Sequence, residues 1–444
     1  MSADAKTLSY PPLPSGVDAI RILTLAPGGF DDPLVCSLRT VAFSTKPRYV
    51  ALSYTWGDPY PDSSSLHLPT SNAGSGDKSI TEPLPFEITV NSQPFRVHRN
   101  LYVCLLHLRS TTHPLPLWVD AVCINQQDME ERNNQVAMMS FIYSRAQKVV
   151  AWVGIREFND RSSWVRVMSA ERKSGAAHQL AASLANGTKL NRSNPPDHGT
   201  LYRVARSAYW TRLWIVQEAC LAYSLLIVFG AKVWTFEEIE GWGVWKTLIS
   251  ENPRGGIVPG LREMLQLVEA RSSKHTDDMK FERLVERFAK QACTDLKDRV
   301  YGLLGLANDV HASAGTAGST NPVEEYIRCL DLEQPDPPEP RRGVGRVVVN
   351  YNRSFYDIWK DAVKFVLFRA RAMDRLWHPS RDTDPVPQNV SAILEQERRI
   401  SVMRTAGIIQ TALGGKVGDE LKLSKDMGQP VSIDGKDEVA IPAP

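Results

Sequence analysis

The stretch from Leu115 to Gly154, LPLWVDAVCINQQDMEERNNQVAMMSFIYSRAQKVVAWVG, constrains the fold more than any other part of the chain. Leu117–Val122 is an apolar run rich in β-branched and aromatic side chains, as expected of a strand buried on both faces of a parallel sheet. It ends in the polar residues Asn125, Gln126, Gln127 and Asp128. Asp128 has the chemistry of a helix N-cap, and Glu131 stands three residues on, where its carboxylate can reach back to the N–H of the cap. The helix expected over 129–146 repeats Val136, Met139, Tyr143 and Ala146 at helical spacing, with Met138 and Ile142 beside them. It yields to Val149–Val153, a second apolar strand stopped by Gly154. Strand, helix and strand make a βαβ unit, which is built right-handed with its strands parallel.

The rest of the chain is placed around this unit. Ala19–Leu25 alternates as a strand and turns at Pro27-Gly28-Gly29, and Arg48–Tyr54 is a second strand ending in the cluster Ser53-Tyr54-Thr55-Trp56-Gly57-Asp58-Pro59. Residues 60–85 lack periodicity and read as a surface loop. Phe86–Phe95 reads as a hairpin turning at Asn91-Ser92, and Val97–Leu108 as a helix with Leu101, Cys104, Leu105 and Leu108 inward. An insertion over 155–200 carries one helix, Ala176–Ala185. It is followed by a helix over 204–221, a strand over Ser224–Gly230 and a helix from about Thr235 with Glu237 and Glu238 in its first turn. Residues 261–288 are helical and charged, and 294–307 close in a short apolar helix. Val347–Tyr351 with a helix over 354–370 makes a last ordered unit. The resulting division is a loosely ordered arm at 1–18, a main domain at 19–310 with its α/β core at 48–245, and a linker at 311–345 that includes the Pro-rich 332–342. A strand-helix unit at 346–380 and a weakly structured tail at 381–444 complete it.

Charge and targeting signals exclude several classes. The chain has 52 basic and 50 acidic residues, net +2, which gives no general attraction to nucleic acid or to an anionic membrane surface. The start, MSADAKTLSYPPLPSG, has no apolar signal core, and no run approaches the ~20 apolar residues of a membrane span. A cytoplasmic protein is expected. Cys36, Cys104, Cys123, Cys220, Cys293 and Cys329 show no CxxC pair or zinc spacing, so reduced and mostly buried thiols are expected, with no metal. Cys123 has no His at a recognisable partner position, which argues against a nucleophile. Gly343 and Gly345 fail the dinucleotide fingerprint, and there is no phosphate loop of the Walker type.

Alternating strands and helices predict an α/β fold, a doubly wound parallel sheet with a helical C-terminal extension. Ligands bind such sheets outside the carboxyl ends of the strands. In this chain those ends carry Tyr54–Asp58 and Asp120–Asn125.

The motifs YVALSYTWGDP, PLWVDAVCINQQDMEERNNQVAMMSFIYSRAQKVVAWVG, YWTRLWIVQE and CTDLKDRVYGLLGLA, in this order, resemble the heterokaryon incompatibility (HET) domain of filamentous fungi, over about Tyr10 to Leu367. That resemblance implies a role in non-self recognition, where incompatible fused cells are killed. The pattern is more remotely similar to Toll/interleukin-1 receptor (TIR) domains, which implies a TIR-like, flavodoxin-like core. The TIR strand ending in Ser-Tyr matches Ser53-Tyr54, and the Trp with a Glu four residues on matches Trp214 and Glu218. In enzymatic TIR domains that Glu serves NAD cleavage at the nicotinamide ribosyl bond, a reaction through an oxocarbenium-like state that a carboxylate can stabilise. The resemblance therefore implies an NAD nucleosidase with NAD or a related nucleotide as substrate, no resident cofactor, and a homo-oligomer. Glu218 and Asp120 are the catalytic candidates, and Ser53, Tyr54, Trp56, Gly57, Asn125 and Trp214 would shape the substrate site. Against this stand structural roles. Glu218 can be a buried carboxylate paired with Arg212 or Arg145, and Asp120 needs a partner wherever it is buried. Asn125 and Gln126 can end the strand by bonding backbone. Glu130 and Glu131 need no role beyond favouring a helix N-terminus. Arg99, Arg145 and Arg212 are the cations nearest the expected cleft, any of which can meet a pyrophosphate. The rival function is a non-enzymatic death-signalling module acting by self-association or by recruiting a protein partner.

Overall fold

The computed structural model describes residues 8–14, 18–57, 86–155, 176–187, 193–241, 260–274, 279–288, 290–314, 345–354, 357–358, 362, 431–433 and 437–439. The loop 60–85, most of the insertion 155–200, the linker 332–342, Cys329 and nearly all of the helix expected over 354–370 lie outside these residues. The chain divides into two compact units, Met1–Gln135 with Met139–Ser272, and Val136–Met138 with Ser273–Pro444.

The first unit opens with β1 (Ala19–Leu25) and β2 (Val35–Ala42), antiparallel along their whole length, and the central strand β3 (Val50–Tyr54), buried at every position. β4 (Phe86–Val90) and β5 (Gln93–Val97) form the expected hairpin, with Asn91 and Ser92 at φ 49 and 63, the left-handed pair that a tight turn of matching twist requires. The Asn91 side chain accepts from the N–H of Leu38 and donates to its C=O, which pins the hairpin to β2. Next come α1 (Arg99–Leu108), β6 (Leu115–Trp118), the one-turn α2 (Asp120–Cys123), α3 (Met129–Ala137), α4 (Met139–Arg145) and β7 (Lys148–Trp152). The unit continues with α5 (Ala176–Asn186), α6 (His198–Arg206), a 3-10 turn at Ala208–Thr211 and α7 (Trp214–Leu221). It closes with β8 (Leu225–Phe229), β9 (Lys232–Thr235), α8 (Phe236–Gly241) and α9 (Leu261–Ser272).

These strands form one sheet in the order β5-β4-β2-β1-β6-β3-β7-β8-β9. Only its middle is a continuous parallel block, β6-β3-β7-β8. Antiparallel pairing attaches β1 to β6 on one side and β9 to β8 on the other, so the sheet is mixed where a parallel one was expected. Much of the difference lies in β2 and β9, which have no counterpart in the sequence reading. β2 alternates exposed and buried residues, the signature of a strand with one wet face. Helices cover both faces of the parallel block. Ser53 and Ala151 are paired on one face, where Ser53 meets Glu218 of α7. Their neighbours Tyr54 and Trp152 point to the other, where Trp152 meets Asn100 and His107 of α1.

Three expected elements are corrected. The strand expected over 117–122 stops at Trp118, because the carbonyl of Val119 accepts from the N–H groups of Val122 and Cys123 and the Asp120 carboxylate accepts from Ala121 N, which together close a helical turn. The helix expected over 129–146 is interrupted at Met138, since its two halves anchor to different strands. Glu131 and Gln135 bond to Arg21 and Ala19 of β1, whereas Ile142 and Tyr143 bond to Tyr49 and to Leu52 of β3. The helix expected over 204–221 is α6, the 3-10 turn and α7. Ser207 breaks it in an extended conformation, accepting from Tyr209 N and donating to the carbonyl of Val153.

Asp128 does cap α3, accepting from the N–H groups of Glu130 and Glu131. The Glu131 carboxylate does not return to the cap as expected. It forms a bidentate ion pair with Arg21 at 2.5 and 2.8 Å, with Arg21 only 2% exposed.

In the second unit α10 (Phe281–Phe288) buries Phe281, Leu284, Val285 and Phe288 from one face, and α11 (Asp298–Leu304) follows. The Tyr351 hydroxyl donates to Asp298 at 2.5 Å and Lys297 Nζ to the Tyr351 carbonyl at 2.7 Å. β10 (Val310–Ala314) pairs parallel with β11 (Gly345–Val349), and β12 (Val431–Ile433) antiparallel with β13 (Asp437–Val439).

Gly260, at φ +83, offers a sharp test of packing in the first unit. A Cβ there would stand 2.2 Å from the carbonyl oxygen of Ala205 at the end of α6, and backbone cannot yield as a side-chain tip can. Gly260→Ala is expected to destabilise by about 2 kcal/mol or more, read from urea unfolding. An unchanged midpoint and slope would contradict this approach of α9 to α6.

Candidate functional site

In the parallel block the strands run second, first, third and fourth in chain order, so the connection from β3 runs one way to β6 and the next runs back past β3 to β7. The crevice where they diverge lies at the carboxyl ends of β3 and β7, where open α/β sheets bind ligands. β3 ends there in Ser53 and Tyr54 and runs on to Thr55, Trp56 and Gly57.

A chain of hydroxyls and a carboxyl fills the base. Ser53 donates from Oγ to Glu218 Oε2, and its oxygen lies 2.8 Å from the Tyr209 hydroxyl. A serine has one proton to give, so Tyr209 donates to Ser53 as Ser53 donates to Glu218. Ser207 sets Tyr209 in place through its contacts with Tyr209 N and the Val153 carbonyl. Sequence reasoning missed Tyr209. Its only prior signal was Ser207, a break residue inside an apparently continuous helical run.

Two carboxyls share one guanidinium. Glu218 is 1% exposed, and burial pushes its carboxyl up to about 7. Arg212 opposes that rise, Asp120 adds to it, and the Ser53 hydrogen bond opposes it. Asp120 is half-buried and also raised by desolvation, against the pull of Arg212 and the hydrogen bonds from Trp56 and Ala121. Burial works to lower Arg212, but Glu218 and then Asp120 hold it raised, and Arg212 donates to the Tyr54 carbonyl at the strand end. One positive charge cannot balance two carboxylates in a poorly solvated cluster, so one carboxyl keeps its proton near neutrality. Burial also lifts the Tyr54 and Tyr143 phenols far above their ordinary range, which leaves both as neutral hydroxyls. Arg145 is exposed at the end of α4, so of the two cations considered for Glu218 it is Arg212 that its carboxyl feels.

The outer part of the crevice is more open. Trp56 is 38% exposed and donates from Nε1 to Asp120 Oδ2 at 2.8 Å, while Gly57 is exposed with nothing within 4 Å of an added Cβ. Trp214 is half-buried at the start of α7, one turn before Glu218. Ser53, Tyr54, Trp56, Gly57, Asp120 and Glu218 are thus gathered around one strand end. Asn125 serves its own turn, accepting from Gln127 N and donating its backbone N–H to Glu131. Thr55 belongs to the same strand-end cluster, although it is not among the candidate site residues. Asn100 donates to the Thr55 carbonyl at 2.8 Å, but the buried Thr55 hydroxyl has no hydrogen-bond partner among the described residues. Among the described residues no group of three or more His, Cys, Asp and Glu side chains is placed to hold a metal, and no helix is long and apolar enough to cross a membrane.

Chemically the base can hold and release a proton near neutrality, whereas the rim offers an indole face, a carboxylate and open space. At 1% exposure Glu218 itself does not meet solvent.

Two stability measurements probe the cluster. Between pH 4.5 and about 7 the folded chain retains a proton on Glu218 that the unfolded chain has released. The contribution of this group is therefore full below pH 4.5 and falls away as pH rises toward 7, by on the order of 3 kcal/mol. Glu218→Gln is expected to flatten that part of the stability-pH curve, and an unaltered curve would contradict the assignment. Thr55→Val removes a buried hydroxyl that has no partner among the described residues, at nearly constant volume. It is expected to raise the unfolding free energy by about 1 kcal/mol, and a loss of stability would mean that the hydroxyl has a partner.

Residues 49–218 match the family model described as Heterokaryon incompatibility protein (HET). The chain is 27% identical over 339 residues to Heterokaryon incompatibility protein 6, OR allele, of Neurospora crassa, an alignment covering 65% of this chain and 47% of that protein. The chain therefore spans about half the length of this curated relative. No solved structure matches.

Proposed function

From the match of residues 49–218 to the heterokaryon incompatibility (HET) model and the likeness to Heterokaryon incompatibility protein 6, we propose that this chain acts in heterokaryon incompatibility, the death of incompatible fused fungal cells, as a death-signalling module engaging protein partners or further copies of itself. The observation that favours signalling over catalysis is the closure of Glu218, which is 1% exposed, bonded to Ser53 and facing Arg212. A carboxylate in that setting has no path to a ribose unless the crevice opens.

A second reading is supported by a different observation. The same carboxyl is poised near neutrality at the divergence of β3 and β7, beneath the more open Asp120 and Trp56. Groups with that perturbation cluster at functional sites. On this reading the core is TIR-like and flavodoxin-like, in keeping with the 2-1-3-4 order of its parallel strands, and an opened state cleaves NAD at the nicotinamide ribosyl bond. Glu218 would stabilise the oxocarbenium-like charge, Asp120 would contact the substrate, Trp56 or Trp214 would cover a flat ring, and Arg212 is the cation best placed for a pyrophosphate.

The two readings separate in one experiment. Purified chain at high concentration is incubated with NAD, with Glu218→Gln alongside, and both are expressed in fungal cells while death and self-association are followed. Signalling predicts intact NAD and killing that tracks association. Release of nicotinamide by the parent chain and not by Glu218→Gln would replace it with the enzymatic reading.

A further inference from the structure

The N-terminal arm Leu8–Pro14 lies on the first unit without joining its sheet, since Pro11 and Pro12 remove the backbone donors that a strand would need. Side chains hold it instead. Leu8 is buried, the Ser9 N–H donates to Gln93 Oε1 at 2.9 Å, and Thr40 Oγ1 donates to the Pro12 carbonyl at 3.0 Å. The central hold is Arg21 on β1. Its Nε donates to the Pro11 carbonyl at 2.6 Å, and the Tyr10 ring lies 4.9 Å from its guanidinium carbon.

The same guanidinium supports the other side. NH1 donates to the Cys123 carbonyl at 3.1 Å, and NH1 and NH2 grip the Glu131 carboxylate. Glu131 Oε1 also accepts from the backbone N–H of Asn125 at 2.6 Å, and the adjoining Gln126 donates from Nε2 to the Asp120 carbonyl at 3.0 Å. Asp120 in turn holds the Trp56 indole. Hydrogen bonds, joined by the covalent step from Asn125 to Gln126 and by Asp120 itself, therefore lead from the arm through Arg21 and Glu131 to the rim of the crevice.

We propose that the arm is a strap whose seating on Arg21 fixes the 120–128 crest, so that its release loosens the rim at Asp120 and Trp56. Two physical effects carry the coupling. The guanidinium is a rigid planar fork, so the acceptor at Nε helps to set the angle at which NH1 and NH2 meet Glu131 and Cys123. Lifting the arm also leaves the Nε–H of a nearly buried arginine without its acceptor, or admits water to the ion pair and weakens it by raising the local dielectric. Glu131 then grips Asn125 less firmly, and the turn that carries Gln126 and Asp120 gains freedom. The device is independent of which chemistry the crevice performs.

Residue-resolved amide exchange on the full chain tests it, using the parent, the double variant Tyr10→Ala/Thr40→Ala and Glu131→Gln. The double variant touches only the arm's holds. It is expected to free the Ser9 amide and to speed exchange at Asn125 by about tenfold or more, while Val149 and Val153 keep their parent rates as a check on folding. Glu131→Gln is expected to speed Asn125 and leave Ser9 protected. The proposal is overturned if Asn125 keeps its parent rate once Ser9 is free, if Ser9 stays protected in the double variant, or if Glu131→Gln leaves Asn125 unchanged.

Discussion

The buried ion pair between Arg21 and Glu131 is the constraint around which much of the first unit is arranged. Removing two charges from water is unfavourable by several kcal/mol per ion unless geometry and surrounding hydrogen bonds make up the difference. Here they do. The pair is bidentate, and the backbone of two segments supplies the rest, the arm through the Pro11 carbonyl and the 123–125 turn through the Cys123 carbonyl and the Asn125 N–H. Each segment is thereby fixed in position. β1 is joined to the helix that follows β6, the turn after α2 is held, and the arm is drawn onto a sheet with which it shares no ladder.

A second charged cluster follows the same electrostatics to a different end. Arg21 and Glu131 balance each other. Arg212 instead faces both Glu218 and Asp120, and the surplus carboxyl keeps a proton near neutrality. A balanced buried pair is a rigid fixture, whereas an unbalanced one titrates in the physiological range. The first cluster supports the loop from which the second draws Asp120, so architecture and candidate chemistry are joined at the 120–128 crest. Burial and openness are divided within the crevice, with Glu218, Ser53 and Tyr209 closed at the base and Trp56 and Gly57 exposed at the rim. That division is why a signalling role is the better-supported reading of the closed structure and an enzymatic one depends on opening.

Much of this was legible in the chain. Uninterrupted apolar runs mark β3, β7 and β8 because strands buried on both faces need no polar positions. Asn91-Ser92 announces its hairpin because few residues tolerate two left-handed conformations in succession. Ser53 and Asp120 could be singled out as polar groups at the ends of apolar runs, whereas Glu218 was reached through the resemblance to TIR domains. The edges of the sheet were harder. β2 has one wet face and carries Ser37, Arg39 and Thr40, so its apolar content falls below that of the central strands and its alternation holds only over Val35–Arg39. The short α2 was hidden inside an apolar run, since VDAVC suits a strand as well as a turn until the Val119 carbonyl and the Asp120 carboxylate find their donors.

By itself the sequence determined an α/β chain, the identity of its central strands, the match of residues 49–218 to the HET family model and the group of polar residues at the carboxyl edge. These follow from local pattern, because side-chain periodicity and turn chemistry act between near neighbours. Tertiary structure alone decided the strand order, the mixed character of the sheet and the partners of each charge. Glu131 read as a helix-cap residue until Arg21, 110 positions earlier, came within 2.5 Å, and Ser53 gained its meaning from Tyr209 and Glu218, 156 and 165 positions away. In a low-dielectric interior the nearest opposite charge or hydrogen-bond partner governs a polar group, and no local pattern encodes which distant residue that will be.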